Sequence, residues 1–201
     1  MSGSEESGRA AVSEKPLSDE QRIELLRLAR ESLGQAVKGK KLPNVDLACC
    51  PAEFRADGAS FVTLTIQGQL RGCIGALEAY QPFVLDVIEH AAAAGVEDYR
   101  FHPVSVRELP TIRIEISRLT SPLPLVYADA EDLLHKLRPG VDGVIVRDGR
   151  QRATFLPQVW EQLSSPAEFL EHLCHKMGAR PDLWRRKNLD VLVYQVEEFH
   201  E

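Results

Sequence analysis

The chain has 201 residues, of which 44% are hydrophobic and 27% charged, and its formal net charge is −6. This length is sufficient to bury a substantial core, and the composition is ordinary for a globular protein. An acidic chain lacks the basic surface that phosphate contacts require, which disfavours nucleic acid as a partner. The apolar runs are too short to cross a bilayer, and the polar N-terminus argues against a secretory signal. Four cysteines without a paired framework favour a reducing compartment, so we expect a cytoplasmic protein.

The first third of the chain predicts a tail, a helix and a connector. Residues 1–15 are rich in Ser, Gly and Glu and are expected to be disordered, which leaves one domain over 16–201. A capping box at 18–21 begins a helix. Its apolar face is predicted from five positions with helical spacing: Ile23, Leu26, Ala29, Leu33 and Val37. Residues 42–59 contain two prolines and are interpreted as an irregular connector.

The middle of the chain predicts a hairpin, a helix and a strand. The hairpin spans 60–76, with a polar break at 67–69. A helix follows Pro82 and ends near Gly95. Residues 111–118 then alternate, with isoleucine at every second position, which is typical of a strand with one buried face.

The last third repeats this succession. Its predicted elements are a helix at 129–137, strands at 142–146 and 151–156, a short helix from Pro157, a helix at 166–177 opened by a second capping box, and a strand at 191–196. Each half thus contains hairpin, helix and strand, over 60–119 and 142–198. We predict an α+β fold in which a mixed β-sheet is flanked by helices.

The segment Leu70–Gly75 is predicted to be the returning strand of the first hairpin. The strand period of two divides its residues between two faces, one with Leu70, Gly72 and Ile74 and the other with Arg71, Cys73 and Gly75. A fixed cation near a thiol stabilises the thiolate, so Cys73 and Arg71 are candidate catalytic residues. Gly72 and Gly75 permit close approach and are candidate ligand-binding positions.

Each candidate has a structural alternative. Free cysteine is among the most buried residue types, so Cys73 can equally fill a core. Arg71 is a candidate clamp for a carboxylate or phosphate, or else it forms an internal ion pair with Asp98 or Glu115.

A loop after the second helix supplies further polar candidates. Asp98, Arg100 and His102 alternate along it, and we interpret them as ligand-binding residues. The alternative is that Asp98 and Arg100 pair with each other or cap the loop. A catalytic thiol usually works with a histidine, and His90 or His102 is the candidate base.

Metal and cofactor signatures are weak. On a helix His172 and His175 share a face while Cys174 does not, and a structural zinc site needs four ligands. Cys49 and Cys50 are adjacent, which is poor chelate spacing for such a site. Phosphate-loop and dinucleotide-binding motifs are absent from the sequence. We therefore predict no metal site and no cofactor.

Five motifs carry a family resemblance. The first is Leu-Arg-Gly-Cys-Ile-Gly at Leu70–Gly75, and the others follow in order at 97–104, 108–110, 137–143 and 155–160. Together they resemble the AMMECR family, whose prokaryotic members are called AmmeMemoRadiSam system protein A. The similarity extends from about Pro16 to the C-terminus. The chain departs from the pattern at 95–96, where the family usually has Phe, and at Tyr99, where it usually has Pro.

The resemblance implies a fold and partners more clearly than an activity. It implies two unequal lobes, with a smaller subdomain built partly from the N-terminal region. It also implies that the protein acts with a Memo-like protein and a radical SAM protein. No membrane or nucleic acid is expected, and the chain is predicted to be a monomer or weak homodimer.

Three functions are compatible with these features. The first is an enzyme-like pocket centred on Arg71 and Cys73 that acts on a small molecule or a protein. The second is a non-catalytic partner or scaffold module of the same system. The third, a nucleic-acid-associated regulatory protein, is disfavoured by the acidic charge.

Overall fold

A computed structural model of the protein describes residues 15–201. The predicted tail therefore lies outside the described residues, apart from its last position. The helices are α1 (Asp19–Val37), α2 (Ala52–Arg55), α3 (Phe83–Val96), α4 (Ala130–Lys136), α5 (Pro166–Lys176) and α6 (Leu183–Arg186), with 3-10 turns at Leu47–Cys49 and Pro157–Glu161. The strands are β1 (Asp57–Ile66), β2 (Gln69–Gly75), β3 (Gln81–Pro82), β4 (Ile112–Leu119), β5 (Leu123–Pro124), β6 (Gly143–Asp148), β7 (Gln151–Phe155), β8 (Asp190–Tyr194) and β9 (Val196–His200). The predicted α+β class is confirmed.

The chain divides into two compact units. The smaller spans Thr120–Val196, and the larger comprises the preceding chain together with Glu197–Glu201. The strands accordingly form two sheets, with orders β2-β1-β4-β9 and β5-β8-β6-β7, while β3 pairs with β1. The hairpin–helix–strand succession predicted for each half is confirmed, as β1-β2-α3-β4 and β6-β7-α5-β8.

The core of the larger unit lies between one face of its sheet and two helices. Strand β4 contributes isoleucines at 112, 114 and 116, all of them buried as the alternation predicted. Helix α3 is apolar around most of its circumference, so it packs against β1, β2 and α1 at once. The resemblance implied that the N-terminal region helps to build the smaller subdomain. Instead, α1 packs in the larger unit.

Strand β9 ties the end of the described chain to α1. The Glu197 carboxylate accepts hydrogen bonds from Leu17 N (3.1 Å), Arg22 Nη2 (2.8 Å) and Arg118 Nη1 (3.2 Å). The sequence predicted a single strand over 191–196. The structure instead has two strands, which are separated at Gln195. The first of them, β8, and the second, β9, belong to different sheets.

The smaller unit has its own core, built on one sheet and α5. The Trp160 ring stacks on Phe169 with centroids 3.7 Å apart, and Trp160 Nε1 donates to the Asp142 carbonyl (2.7 Å). Trp184 is also fully buried in this core. A buried indole N–H needs an acceptor, so the Trp160 bond fixes the ring in one orientation.

Local predictions at the helix starts had mixed outcomes. The capping box of α1 is confirmed, since Ser18 and Gln21 bond each other's backbone. Ile23 was assigned to the apolar face of α1, which was wrong because 67% of it is exposed. The predicted capping box at Ser165 is also wrong, as α5 begins at Pro166 without a side-chain cap. No helix of the described chain is long and apolar enough to cross a membrane.

Candidate functional site

Strand β2 contains a β-bulge at Arg71. The turn at Gln67 and Gly68 has positive φ at both residues, 53° and 77°, as the type I′ turn of a two-residue hairpin requires. Leu64 pairs with Gly72 but Thr65 pairs with Leu70, so Arg71 is an extra residue that has no pairing partner on β1. Opposed residues share a sheet face. Leu70 therefore lies on the face of Thr65, and the predicted alternation fails at this end of the strand.

The glycines of Leu70–Gly75 are explained by packing. A methyl group at Gly72 would overlap the carbonyl oxygen of Ala94 in α3, so only glycine lets the helix lie this close to the strand. A methyl group at Gly75 would overlap the Phe61 ring and the Ser60 carbonyl. The ligand-binding role assigned to these glycines stays a prediction.

Cys73 lies on the sheet face opposite to α3, because its neighbour Gly72 faces the helix. Its cross-strand partner is Thr63, whose hydroxyl donates to Cys73 Sγ at 3.4 Å. The residue is half-buried and is a free cysteine. We call this surface, formed by Phe61, Thr63, Cys73 and Gly75, the Cys73 face.

An ion pair seals the outer edge of β2 beside Cys73. Asp98 Oδ2 accepts the Cys73 N–H (2.8 Å), and Arg100 Nη2 donates to the Cys73 carbonyl (3.1 Å). Arg100 also bonds Asp98 through Nε (2.9 Å) and Nη2 (2.7 Å). These groups take the place of a neighbouring strand, which is one way in which proteins protect a sheet edge. We call this pair the Asp98–Arg100 clamp.

The clamp is electrostatically asymmetric. The Asp98 side chain is 3% exposed and the Arg100 side chain 45%. The Arg100 guanidinium and the Cys73 and Arg100 backbone N–H groups hold the pKa of Asp98 well below its usual range. Asp98 is therefore a fixed anion at neutral pH, and Arg100 is the more accessible partner. The predicted pairing of Asp98 with Arg100 is confirmed.

Arg71 forms an ion pair, but with neither predicted partner. Its Nε donates to Glu108 Oε1 at 2.7 Å, and Ser105 donates to Glu108 Oε2 through both N and Oγ at 2.8 Å. The Arg71 guanidinium, followed by the Ser105 donors, lowers the pKa of Glu108 to about 2. The prediction that Arg71 pairs with Asp98 or Glu115 was therefore wrong. Glu108 was visible in the sequence only as the first residue of the 108–110 motif.

Phe101 connects the two arginines. Its ring centroid lies 6.0 Å from the Arg71 guanidinium carbon and 5.6 Å from that of Arg100. Guanidinium groups at this distance are attracted to the ring face. The segment 98–108 thereby holds β2 at the bulge and at Cys73 at once.

The two candidate histidines do not accompany Cys73. His90 is buried on α3, behind the sheet, where its Nδ1 lies 3.1 Å from Asp86 Oδ2. Ser60 Oγ donates to the same carboxylate oxygen at 2.6 Å. His102 is exposed on the loop. Within residues 15–201, no hydrogen bond joins a histidine to Cys73, so His90 and His102 are not placed as its base.

Other candidate groups are dispersed. Cys174 is fully buried in the core of the smaller unit, where burial raises its thiol pKa. Across the described chain, no three His, Cys, Asp or Glu residues are grouped so as to hold a metal ion.

These features define a two-unit α+β protein whose larger unit presents a half-buried thiol on a bulged, clamped edge strand. The model of the AMMECR1 family matches residues 26–199. The chain belongs to the AMMECR1 family.

Known relatives agree in sequence and in fold. A protein of Methanothermobacter thermautotrophicus is 40% identical over 190 residues, which cover 92% of this chain and 97% of the relative. A protein of Thermofilum pendens is 37% identical and covers 92% of both chains. The crystal structure of an uncharacterized protein from Pyrococcus horikoshii has a TM-score of 0.81 at 33% identity, covering 92% of this chain and 93% of its own.

Proposed function

We propose that this protein acts through the Cys73 thiol as an enzyme-like component of a cytoplasmic system that also contains a Memo-like protein and a radical SAM protein. One observation carries the proposal. The backbone N–H and C=O of Cys73 are both bonded by the Asp98–Arg100 clamp at the outer edge of β2, Cys73 pairs with Thr63 of β1, and its thiol remains half-buried on the Cys73 face. A reactive group held in this way is positioned before its substrate arrives.

The neighbours of Cys73 support thiol chemistry without a histidine. The Thr63 hydroxyl donates to the sulfur at 3.4 Å and so helps to fix the orientation of the thiol on the Cys73 face. In this proposal Arg100 supplies the contact to an anionic group of a small molecule or protein substrate, since almost half of its side chain is exposed. Arg71 is then a positioning residue, because it is paired with Glu108 and only 17% of its side chain is exposed.

The same pairing of Arg71 favours a second candidate function. A cysteine without an adjacent imidazole, beside an arginine that is already paired, suits a non-catalytic module that presents a surface to its partners. Tyr99 is 94% exposed next to the clamp and is the natural contact residue of such a surface. In this alternative the thiol does no chemistry.

Cys73→Ser in a reconstituted three-protein assay separates the two functions. Loss of activity with unchanged thermal unfolding supports the enzyme-like function. Retained activity with Cys73→Ser, together with lost partner binding in Tyr99→Ala, supports the module. Cys49→Ser is the matched control, because Cys49 is also a free cysteine but lies outside the Cys73 face.

The pH dependence of thiol labelling, resolved by mass spectrometry, tests whether Cys73 is reactive. We expect Cys73, which is half-buried, to label in the folded protein and Cys174, which is buried, to label only on unfolding. Thr63→Val should change the labelling rate of Cys73, because it removes the hydroxyl that donates to the sulfur. Labelling of Cys73 only on unfolding would reject both the reactive thiol and the enzyme-like function.

A further inference from the structure

A row of polar side chains crosses the larger sheet from Cys73. Cys73 pairs with Thr63 of β1, and Thr63 pairs in turn with Glu115 of β4. Opposed residues share a sheet face, so the Glu115 carboxylate lies on the same side of the sheet as the thiol. Neighbouring strands are about 4.8 Å apart, which places Glu115 about 10 Å from Cys73 along this row.

The Glu115 carboxylate has no counter-charge in the part of the chain that the structure describes. It is half-buried, yet its side chain makes no hydrogen bond or ion pair within residues 15–201. Arg113 is two residues away on the same face, but it is exposed and donates to the Glu201 carbonyl oxygen at 3.3 Å. A half-buried carboxylate in this state attracts a cation.

A buried hydroxyl lies beside Glu115. Ser117 is two residues further along β4 and pairs with Phe61, so it is on the Cys73 side of the sheet. Only 3% of Ser117 is exposed, and its hydroxyl makes no hydrogen bond within residues 15–201. Buried polar groups normally have a partner, so this hydroxyl is available to a ligand that rests on the face.

The other end of the row carries a cation. Arg100 Nη2 donates to the Cys73 carbonyl at the outer edge of β2, in the place that a further strand would take, and 45% of the Arg100 side chain is exposed. By the same strand spacing, Arg100 lies about 14 Å from Glu115. The row therefore has a guanidinium at one end, a carboxylate at the other and the Cys73 thiol between them.

We propose that the Cys73 face binds an extended zwitterionic ligand, a short peptide whose carboxylate contacts Arg100 and whose ammonium group contacts Glu115. Its binding mode rests on the proposed function, in which Arg100 is the anion contact and Cys73 the reactive group. An extended peptide spans about 3.4 Å per residue, so a tetrapeptide with free ends matches the two charges. Both end contacts are charge-assisted hydrogen bonds, which are among the stronger ones in proteins. The Ser117 hydroxyl lies beside the ammonium end.

Other ligands match this row less well. A ligand with an anionic group at each end would place one of them against Glu115, and a ligand with two cationic ends would place one against Arg100. A metal ion is not indicated, since the described chain groups no three His, Cys, Asp or Glu residues in a way that could hold one.

The test is a calorimetric titration of the whole protein with tetra-alanine that has free ends. We expect one peptide to bind per chain. Acetylation of the peptide amine, or amidation of its carboxylate, should each weaken binding by at least about tenfold, because each removes a charge-assisted contact. Glu115→Gln should weaken binding of the free peptide by a similar factor and should leave binding of the acetylated peptide unchanged.

Two further variants sharpen the titration. Glu131→Gln is the matched control and should bind like wild type, because Glu131 is an exposed carboxylate on α4 of the smaller unit. Glu115→Lys reverses the charge at the ammonium end, so it should prefer succinyl-trialanine, which has a carboxylate at each end, over tetra-alanine. Circular dichroism verifies that each variant is folded.

Three results would overturn the proposal: no binding of tetra-alanine to the wild-type protein, binding that acetylation leaves unchanged, or binding that Glu115→Gln and Glu131→Gln weaken equally. Thiol labelling separates these results from a failure of the proposed function. Labelling of Cys73 in the folded protein without binding of the peptide would reject the ligand alone. Peptide binding by a protein whose Cys73 labels only on unfolding would reject the enzyme-like function and leave the ligand site in place.

Discussion

Replacement of Asp98 by asparagine is the sharpest test of the clamp. The carboxylate accepts four hydrogen bonds, from Cys73 N, Arg100 N, Arg100 Nε and Arg100 Nη2. An amide of the same shape keeps one acceptor oxygen and places an NH2 group against the donors of the other. Asp98→Asn thus removes the negative charge and two of the four bonds with almost no change in volume.

The structure sets the size of the effect. A hydrogen bond to a charged group contributes about 1.5–3 kcal/mol. The Arg100 side chain is 45% exposed and recovers part of its loss by turning to water, whereas one backbone N–H, that of Cys73 or that of Arg100, is left facing a donor. We therefore expect Asp98→Asn to lower the free energy of unfolding by about 3 kcal/mol, which for a chain of this length lowers the melting temperature by about 6–12 °C.

The effect must also depend on pH with a defined sign. The pKa of Asp98 is lowered in the folded state, so its contribution is fully present above the unfolded pKa of about 3.9 and is lost as the pH falls towards the folded pKa. The difference between wild type and Asp98→Asn should be constant from about pH 8 to pH 5 and should shrink below about pH 4. Urea unfolding followed by far-ultraviolet circular dichroism measures it.

Asp19→Asn is the matched control in the same unit. Asp19 also pairs with an arginine, Arg22, at 3.2 Å, but its side chain is 87% exposed. Exposed pairs contribute about 0–1 kcal/mol, so this change should be nearly silent. A loss below about 1 kcal/mol for Asp98→Asn, or a loss that stays the same at pH 3 and pH 7, would refute the role given to the clamp.

The remaining predictions concern packing and a second carboxylate. Gly72→Ala should destabilise by about 2 kcal/mol or more because its methyl group overlaps a backbone carbonyl of α3, whereas Gly34→Ala, with open space around it inside α1, should stabilise by about 0.5–1 kcal/mol. Ile23→Lys should change stability by less than about 0.5 kcal/mol, while Leu33→Ala, at a fully buried position of the same helix, should cost about 2–5 kcal/mol. Glu108→Gln should lose its destabilising effect as the pH falls from about 4 towards about 2, the folded pKa of Glu108. Thermal and urea unfolding measure all three.

Each of these has an opposing outcome. If Gly72→Ala is as stable as wild type, α3 does not lie against β2 as described. If Ile23→Lys unfolds the protein, the apolar face of α1 includes that position after all. If Glu108→Gln has no effect at neutral pH, the Arg71 pair is only a surface contact.

Much of the fold was predictable because it depends on neighbours in sequence. The Ser18 capping box, the alternation in β4 and the two strands that pair as β6 and β7 are local patterns that tertiary structure did not override. The same reasoning failed at Gln195. A single residue there ends one strand and starts another in a different sheet, and sheet membership is decided by distant partners.

The site was harder to predict than the fold. Cys73 and the Asp98–Arg100 pair were found because residue type and spacing suggested them. The Arg71–Glu108 pair joins residues 37 positions apart, and the bulge depends on the register with β1, which no pattern within β2 encodes. Thr63 was missed because a threonine in a strand carries no signal of its own until its cross-strand partner is known.

The placement of β9 has a consequence for the order of folding during synthesis. The larger sheet takes its outer strand from residues 196–200, after the chain has passed through the whole of Thr120–Val196. On the ribosome, the smaller unit can therefore be completed before the larger one, although most of the larger unit is made first. Until Glu197 emerges, Arg22 and Arg118 lack their shared carboxylate and β4 has an exposed edge. Nascent chains of this protein are thus most prone to edge-to-edge association in the interval between the synthesis of β4 and that of β9.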